Sequence, residues 1–476
     1  MGAREYDVVV IGAGAVGENV ADRAAQAGLR VAIVEDELVG GECSYWACMP
    51  SKALLRPGAV LRAARAVDGA RQAVSGGVDV EAALARRDRI THHNPLTHHH
   101  DDRSQVEWLA SAGIDLVRGH ARLAGRKRVH VTQAHGRSLD LIADEAIAVC
   151  TGSRPHVPDI LRDIQPWTSS DATTATRAPS SLAIVGGGVV ACEMATAFAD
   201  FGTAVTVIAR SGLLGGMEPF AGDAVRDALV ARGARVRTGV RVVDAVRSES
   251  GASLTLSDGT TLAAEQVLVA TGRAPRTDDI GLESVGMTPG SWLEVDDTML
   301  VSGSDWLYAV GDVNGRALLT HQGKYQARAA GDAIAARAHG APLDLRPFGT
   351  HVATSDHRHV PQVTFTDPEV ASIGMTAEQA EEAGIRIRVL DYDLGWLAAA
   401  STLSDAYRGC ARAVVDEDRG ILVGATFVGA DVGELVHAAT IAVVGEVPLA
   451  RLWHAVPAYP TLSEVWLRWL ESYGRP

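Results

Sequence analysis

Cys43 and Cys48 lie five residues apart in the stretch Gly40-Gly41-Glu42-Cys43-Ser44-Tyr45-Trp46-Ala47-Cys48-Met49-Pro50-Ser51-Lys52. Two thiols so spaced either close a bridge or stay as buried free thiols that serve packing. A bridge needs the two Cα atoms within about 7 Å. Five residues of regular helix rise roughly 7.5 Å, so closure requires a distorted turn. Gly40, Gly41 and Pro50 are residues that permit or force one. The chain has five cysteines in 476 residues, too few for a disulfide framework. It enters an apolar strand within a few residues of Met1, so no leader is visible. Together these features point to a reducing cytoplasm, where a disulfide is catalytic rather than structural.

The elements that position this pair can be read around it. Tyr6 to Ile11 is a buried parallel strand, followed at once by Gly12-Ala13-Gly14-Ala15-Val16-Gly17, a helical pattern to about Gln26, and a second strand ending at Glu35. Gly12 allows the tight turn, Gly14 lets a pyrophosphate approach, and Gly17 lets helix pack on strand. The helix N-terminus offers amide donors to phosphate, and Glu35 stands where a ribose hydroxyl is bound. The pattern recurs. Leu182 to Val185 leads into Gly186-Gly187-Gly188-Val189-Val190-Ala191, a helix to about Phe201 and a strand from Ala204 to Ala209. Two such units imply two dinucleotides. The second unit has Arg210, not a carboxylate, after its second strand. An arginine there can pair with a 2′-phosphate, so NADPH is expected ahead of NADH.

Length and composition fit a soluble enzyme of about three domains, with 47% apolar and 21% charged residues. A net charge of −14 argues against nucleic acid or an anionic membrane as partner, and no apolar run is long enough to span a bilayer. Ser51 to Ala73 reads as a helix. Asp115 to Leu123 and Arg128 to Thr132 read as strands of a small sheet. From about Thr350 the character turns β-rich with helices, and Leu435 to Val444 and Ser463 to Tyr473 read as helices. The run from His92 to His100 holds five histidines. It is read as a polar surface loop with adventitious metal affinity, so no metal site is assigned.

Gly40, Gly41, Cys43, Cys48, Pro50, Ser51 and Lys52 reproduce a pattern of two glycines, a cysteine one residue on, four intervening residues and then Cys-x-Pro-Ser/Thr-Lys. The chain therefore resembles the flavoprotein disulfide reductases, a family that includes dihydrolipoamide dehydrogenase, glutathione reductase and mercuric reductase. The resemblance implies an α/β fold with two Rossmann-like domains, for FAD and NAD(P), and a C-terminal α+β dimerisation domain. The implied spans are 1–154 and 274–347 for FAD, 155–273 for the nicotinamide nucleotide and 348–476 for a homodimer interface. It implies that Cys43 and Cys48 form a redox disulfide, with Cys48 facing the flavin and Cys43 attacking substrate. It pairs Lys52 with Glu193 beside the flavin. FAD falls to Gly12, Gly14, Gly17, Glu35, Gly119, Thr151, Gly152, Asp312 and His321, and the nicotinamide cofactor to Gly186, Gly188, Ala191, Arg210 and Gly272.

Two departures bear on substrate. Ser44-Tyr45-Trp46-Ala47 replaces the family's Leu-Asn-x-Gly between the cysteines. Near the C-terminus Glu464 is kept, but Tyr459 stands where the family carries a histidine base. A phenol, with an ordinary pKa of about 10, is a poor base at neutral pH. Flavin-to-disulfide transfer should survive, while exchange with a small dithiol should be slow or follow another route. Mercury reduction is not expected, since Cys410 is the last cysteine and no terminal pair follows. The acceptor is a small disulfide or dithiol. The alternatives are a quinone for a diaphorase, a specialised dithiol that needs no histidine base, and a non-catalytic role as subunit of a larger dehydrogenase complex.

Overall fold

The computed structural model describes residues 3–94, 99–249 and 251–474. The chain divides into two compact units. One comprises Met1–Pro50, Asp88–Pro155 and Arg273–His357, the other Ser51–Arg87, His156–Gly272 and Arg358–Pro476. Among the described residues no helix is long and apolar enough to cross a membrane.

The first unit is built on a seven-stranded sheet. Strand β1 (Arg4–Ile11) runs parallel to β2 (Val31–Glu35) on one side and to Ser138–Val149 on the other. Asp115–Arg118 extends the parallel set beyond β2, and Leu307–Ala309 pairs with the end of Ser138–Val149. Successive side chains of a strand point to opposite faces. Val8 and Val10 therefore enter one core with Val20 and Ala24 of α1 (Ala15–Gln26) and Ala327 and Ile334 of the helix Thr320–Ala338. Val9 and Ile11 enter the other core, with Ile147, Val149, Leu282 and Trp306. Burial on both faces explains why the strand reads as an unbroken apolar run rather than an alternating one. Arg128–Thr132 and His120–Leu123 add antiparallel to the same sheet. The small separate sheet expected from the sequence is thus part of the main one, because the long strand Ser138–Val149 offers an edge to Arg128–Thr132, which in turn pairs with His120–Leu123.

The second unit holds a parallel four-stranded sheet in the order Arg235–Arg237, Ala204–Ile208, Ser181–Val185, Gln266–Val269. An antiparallel three-stranded sheet, Val242–Ser248, Gly251–Leu256 and Thr261–Ala264, accompanies it. The C-terminal part is a five-stranded antiparallel sheet covered by the helix Leu435–Val444, whose Ala439 and Val443 share a core with Phe427 and Trp469. The fold is therefore α/β with two dinucleotide-binding folds and an α+β C-terminal domain. Two further elements follow the redox stretch: the short helix α2 (Gly41–Tyr45) and the long helix α3 (Cys48–Arg65). The helix expected to reach Ala73 stops at Arg65. Ala66-Val67-Asp68-Gly69 interrupts it with Gly69 at φ 94°, and only a short 3₁₀ turn, Arg71–Ala73, follows.

One charge is buried at the start of α1. The Glu18 carboxyl is enclosed, its Oε1 accepts no hydrogen bond among the described residues, and burial raises its pKa to about 7, with Lys324 opposing and Glu35 reinforcing the shift. The folded protein therefore keeps a proton that the unfolded chain releases near its ordinary value of 4.5, and stability falls as pH rises from about 4.5 through 7. Glu18→Gln should be near neutral at pH 4.5 and stabilising by about 3 kcal/mol at pH 8. Denaturant unfolding of both proteins at the two pH values checks this.

Candidate functional site

In the first unit two glycine turns meet. Gly12 has φ 98°, and a Cβ there would lie 2.6 Å from Cys150 O. Gly40 N donates to Ala13 O at 2.8 Å, and a Cβ on Gly41 would come 2.8 Å from Gly14 Cα. The redox stretch thus passes in backbone contact with the phosphate-type turn. After α2 the amides of Trp46 and Ala47 both turn back onto Glu42 O, at 2.8 and 2.7 Å. This is the irregular turn that the cysteine spacing demanded. Cys43 and Cys48 stand as thiols, hydrogen-bonded to each other. Thr320 Oγ1 lies 3.3 Å from Cys48 Sγ. The bond to Cys48, then burial, push the Cys43 thiol well above its ordinary pKa, and the positive charge of Lys324 works against them.

A cleft of about 360 Å³ runs from Glu35 past Gly12 and Gly14 to Cys43, Trp46 and Thr320. Glu35 closes one end: its Oε2 accepts from Ala13 N at 2.7 Å and its Oε1 from Glu37 N at 2.9 Å. Burial raises its pKa. Asp312 Oδ2 accepts from Ser153 Oγ at 2.5 Å, and burial raises the Asp312 carboxyl as well. Arg273 binds Ser153 through Nε and Glu42 Oε2 through Nη2, the latter at 2.5 Å. Gly119, Thr151 and Gly152 line the same cleft. Gly17 is buried against the Gly12 carbonyl, where a Cβ would meet the oxygen at 1.9 Å. His321 stands exposed on the first turn of its helix, and its neighbour Thr320 is the residue that lines the cleft. These groups fit FAD. Glu35 and Asp312 offer acceptors to sugar hydroxyls, a glycine turn at a helix N-terminus offers amides to the pyrophosphate, and the thiols stand at one end.

In the second unit Gly186 repeats the role of Gly12, since a Cβ there would lie 2.1 Å from Ala270 O. Gly188 caps the helix Val189–Asp200 with open space around it, and Ala191 is fully buried against the sheet. Arg210 is exposed at the end of the second strand, and Gly272 follows the last parallel strand. Lys52 Nζ donates to Glu193 at 3.1 Å for Oε1 and 2.8 Å for Oε2. Phe365 N donates to Oε1 at 3.0 Å, and the Lys52 ammonium lies 4.8 Å from the Phe365 ring centroid. The expected pairing of Lys52 with Glu193 is therefore present as geometry. Tyr459 is 76% exposed, whereas Glu464 is 5% exposed. Glu464 Oε2 accepts no hydrogen bond among the described residues, and its Oε1 lies 3.6 Å from Arg468.

In the histidine-rich run, residues 95–98 lie outside the described residues. His93 and His100 face each other at 4.9 Å, and His100 packs on Tyr45 and Trp46. Among the described residues, no three His, Cys, Asp or Glu side chains are placed to hold a metal. Thr320, Ser153, Arg273, Glu42 and Trp46 escaped the sequence reading. Each stood inside a stretch with local signal: Thr320 beside His321 at a helix start, Glu42 and Trp46 inside the cysteine motif, and Ser153 and Arg273 in the turns that follow Thr151-Gly152 and Thr271-Gly272.

Residues 6–338 match the family model for pyridine nucleotide-disulphide oxidoreductases, and residues 360–469 match that family's dimerisation domain. The chain is 29% identical to a dihydrolipoyl dehydrogenase of Geobacillus stearothermophilus, over 97% of this chain and 95% of that protein. It is 30% identical to a mercuric reductase of Staphylococcus aureus, over 97% and 81% respectively. The solved structure of RclA, an HOCl-induced flavoprotein disulfide reductase from Escherichia coli, superposes with a TM-score of 0.79 at 25% identity, covering 98% of this chain and 99% of that one.

The Lys52–Glu193 pair has a stability consequence. Glu193 is 4% exposed at its side chain, so removal of Lys52 leaves a buried carboxylate with no cation. Lys52→Met should cost about 3 kcal/mol, and adding Glu193→Met should recover most of it. Urea unfolding of the two variants gives both values.

Proposed function

From the premise that the chain belongs to the pyridine nucleotide-disulphide oxidoreductase family, we propose that it moves electrons from NADPH to a small disulfide by way of Cys43 and Cys48. Membership makes it an FAD-dependent oxidoreductase working between a nicotinamide nucleotide and a disulfide, with a dimerisation domain at its C-terminus. The observation that carries the reading is the Cys43–Cys48 contact at one end of the cleft, with Thr320 beside Cys48. Bound FAD supplies the two-electron relay between nicotinamide and sulfur.

The residues then divide the work. Cys43, as thiolate, attacks one sulfur of the substrate disulfide, whose S–S bond breaks and releases one product thiol. Cys48 attacks Cys43 Sγ, the mixed disulfide breaks, and the second product thiol leaves. The Cys43–Cys48 disulfide that remains is reduced again at the expense of NADPH. Substrate gains two electrons and two protons, one proton from NADPH and one from solvent, and the sequence can run in reverse. Thr320 and the charge of Lys324 oppose, without reversing, the upward push on the Cys43 thiol. Lys52, held by Glu193, sets a fixed positive charge by the flavin. The first glycine turn with Gly119, Thr151, Gly152, Asp312 and His321 holds FAD. Gly186, Gly188, Ala191 and Gly272 hold the nicotinamide nucleotide, with Arg210 on its 2′-phosphate. Tyr459 acts as a proton donor, with Glu464 behind it in the homodimer. The chain is organised as 1–154 and 274–347 for FAD, 155–273 for the nucleotide and 348–476 for dimerisation, and it works in the cytoplasm.

A second reading, reduction of quinones, is favoured by one observation: Tyr459 is exposed, while Glu464 is buried with one oxygen unanswered among the described residues. Cys43→Ser separates the two. The disulfide reading predicts that reduction of a small disulfide by NADPH falls by at least about a thousandfold in the variant. Full quinone activity in that variant, with no disulfide activity in the unaltered protein, would establish the second reading instead. Steady-state rates with lipoamide and with menadione decide it.

A further inference from the structure

Two aromatic residues, Tyr45 and Trp46, lie between the redox cysteines, where this chain departs from the pattern it otherwise follows, and His100 packs against both. Trp46 stands edge-on to Tyr45, with centroids 5.8 Å apart at 63°, and edge-on to His100, at 5.9 Å and 84°. Tyr45 is fully enclosed, and its hydroxyl donates to Val39 O at 3.0 Å. His100 is tied through Nδ1 to Thr91 O at 2.8 Å and tilts against Tyr45 at 5.1 Å. Both neighbours of Trp46 are thus anchored to backbone, and edge-to-face packing holds the indole at a set angle. The same indole lines the cleft with Cys43 and Thr320. A ring serving only as core would be enclosed, as Tyr45 is. Trp46 is part-buried and forms wall.

We propose that Trp46 is a specificity-determining residue: a braced, electron-rich wall that packs a planar, electron-poor ring at the redox end of the cleft. An indole face carries negative charge density, so it prefers rings depleted of electrons. Two sources supply such a ring, the flavin itself and an aromatic disulfide or quinone arriving as substrate. The inference rests on the electron-transfer reading above and adds the class of group that the redox end accepts. Its chemistry is contact and orientation, with no covalent step at Trp46.

The test uses the FAD-loaded protein and the variants Trp46→Leu and Trp46→Phe. Rates are measured with 5,5′-dithiobis(2-nitrobenzoate), with menadione and with the aliphatic bis(2-hydroxyethyl) disulfide, and flavin emission is recorded alongside. If the ring belongs to substrate, Trp46→Leu lowers kcat/KM for the aromatic acceptors about 5- to 10-fold. The aliphatic disulfide then changes by less than about 2-fold, and Trp46→Phe restores most of the loss. If the ring is the flavin, the aromatic-to-aliphatic ratio holds. Emission of the bound flavin then rises several-fold in Trp46→Leu and falls back in Trp46→Phe. A general loss of structure would depress all acceptors equally and leave Trp46→Phe intermediate in none of them, which overturns the inference. So does a Trp46→Leu protein whose ratio and emission both match the unaltered one. Trp46→Met, which likewise removes the ring, carries the same test if Trp46→Leu is not recovered folded. Failure of the unaltered protein to reduce any of the three acceptors would sink the electron-transfer reading, and the emission arm would still decide the role of Trp46.

Discussion

The whole first unit depends on one close approach, the backbone contact between Gly41 and Gly14. Gly41 has no room for a side chain, as a Cβ there would sit 2.8 Å from Gly14 Cα. The first glycine turn and the loop that carries the cysteines are therefore held as one surface. The hydrogen bond from Gly40 N to Ala13 O fixes their register. From that contact follows the placement of Cys43 on the wall of the same cleft that Glu35 closes at its other end. The chemistry of the pair is a consequence of where two glycine turns allow the chain to pass.

Energetically the site is a set of buried charges kept tolerable by partners. Glu193 shares both oxygens with Lys52 and one with Phe365 N. Glu42 is answered by Arg273, which also grips Ser153 and so reaches Asp312. Such networks are costly to break and give modest net stability; each holds its own side chains at fixed places within its unit. Glu18, Glu42 and Glu464 each keep one oxygen enclosed and unanswered among the described residues.

How much of this was legible in the sequence follows physical lines. Gly12 and Gly186 could be read because a strand, a forced glycine turn and a helix are all local. The cysteine spacing likewise declared its need for an irregular turn, and Trp46 and Ala47 folding back on Glu42 supply it. The Lys52–Glu193 pair was available only through resemblance, as 141 residues separate the partners. The relay from Glu42 through Arg273 and Ser153 to Asp312 left no trace in periodicity. Each member is an ordinary polar residue, and only the folded chain brings residues 42, 153, 273 and 312 together. Helix ends were legible where glycine or proline marks them. The end of α3 at Arg65 was missed because Ala66 and Val67 continue an apolar pattern that Asp68 and Gly69 then stop.

The central claim is that electrons from the nicotinamide nucleotide come to rest on Cys43 and Cys48. Counting thiols tests it most directly. The oxidised protein, held without oxygen, is given one equivalent of NADPH or of NADH, quenched with iodoacetamide and mapped by peptide mass. The account predicts two new alkylated residues, Cys43 and Cys48, produced more rapidly by NADPH, with buried Cys150 and Cys192 unlabelled until the chain is unfolded. Loss of the flavin absorbance with no gain of thiols at Cys43 and Cys48 would contradict it.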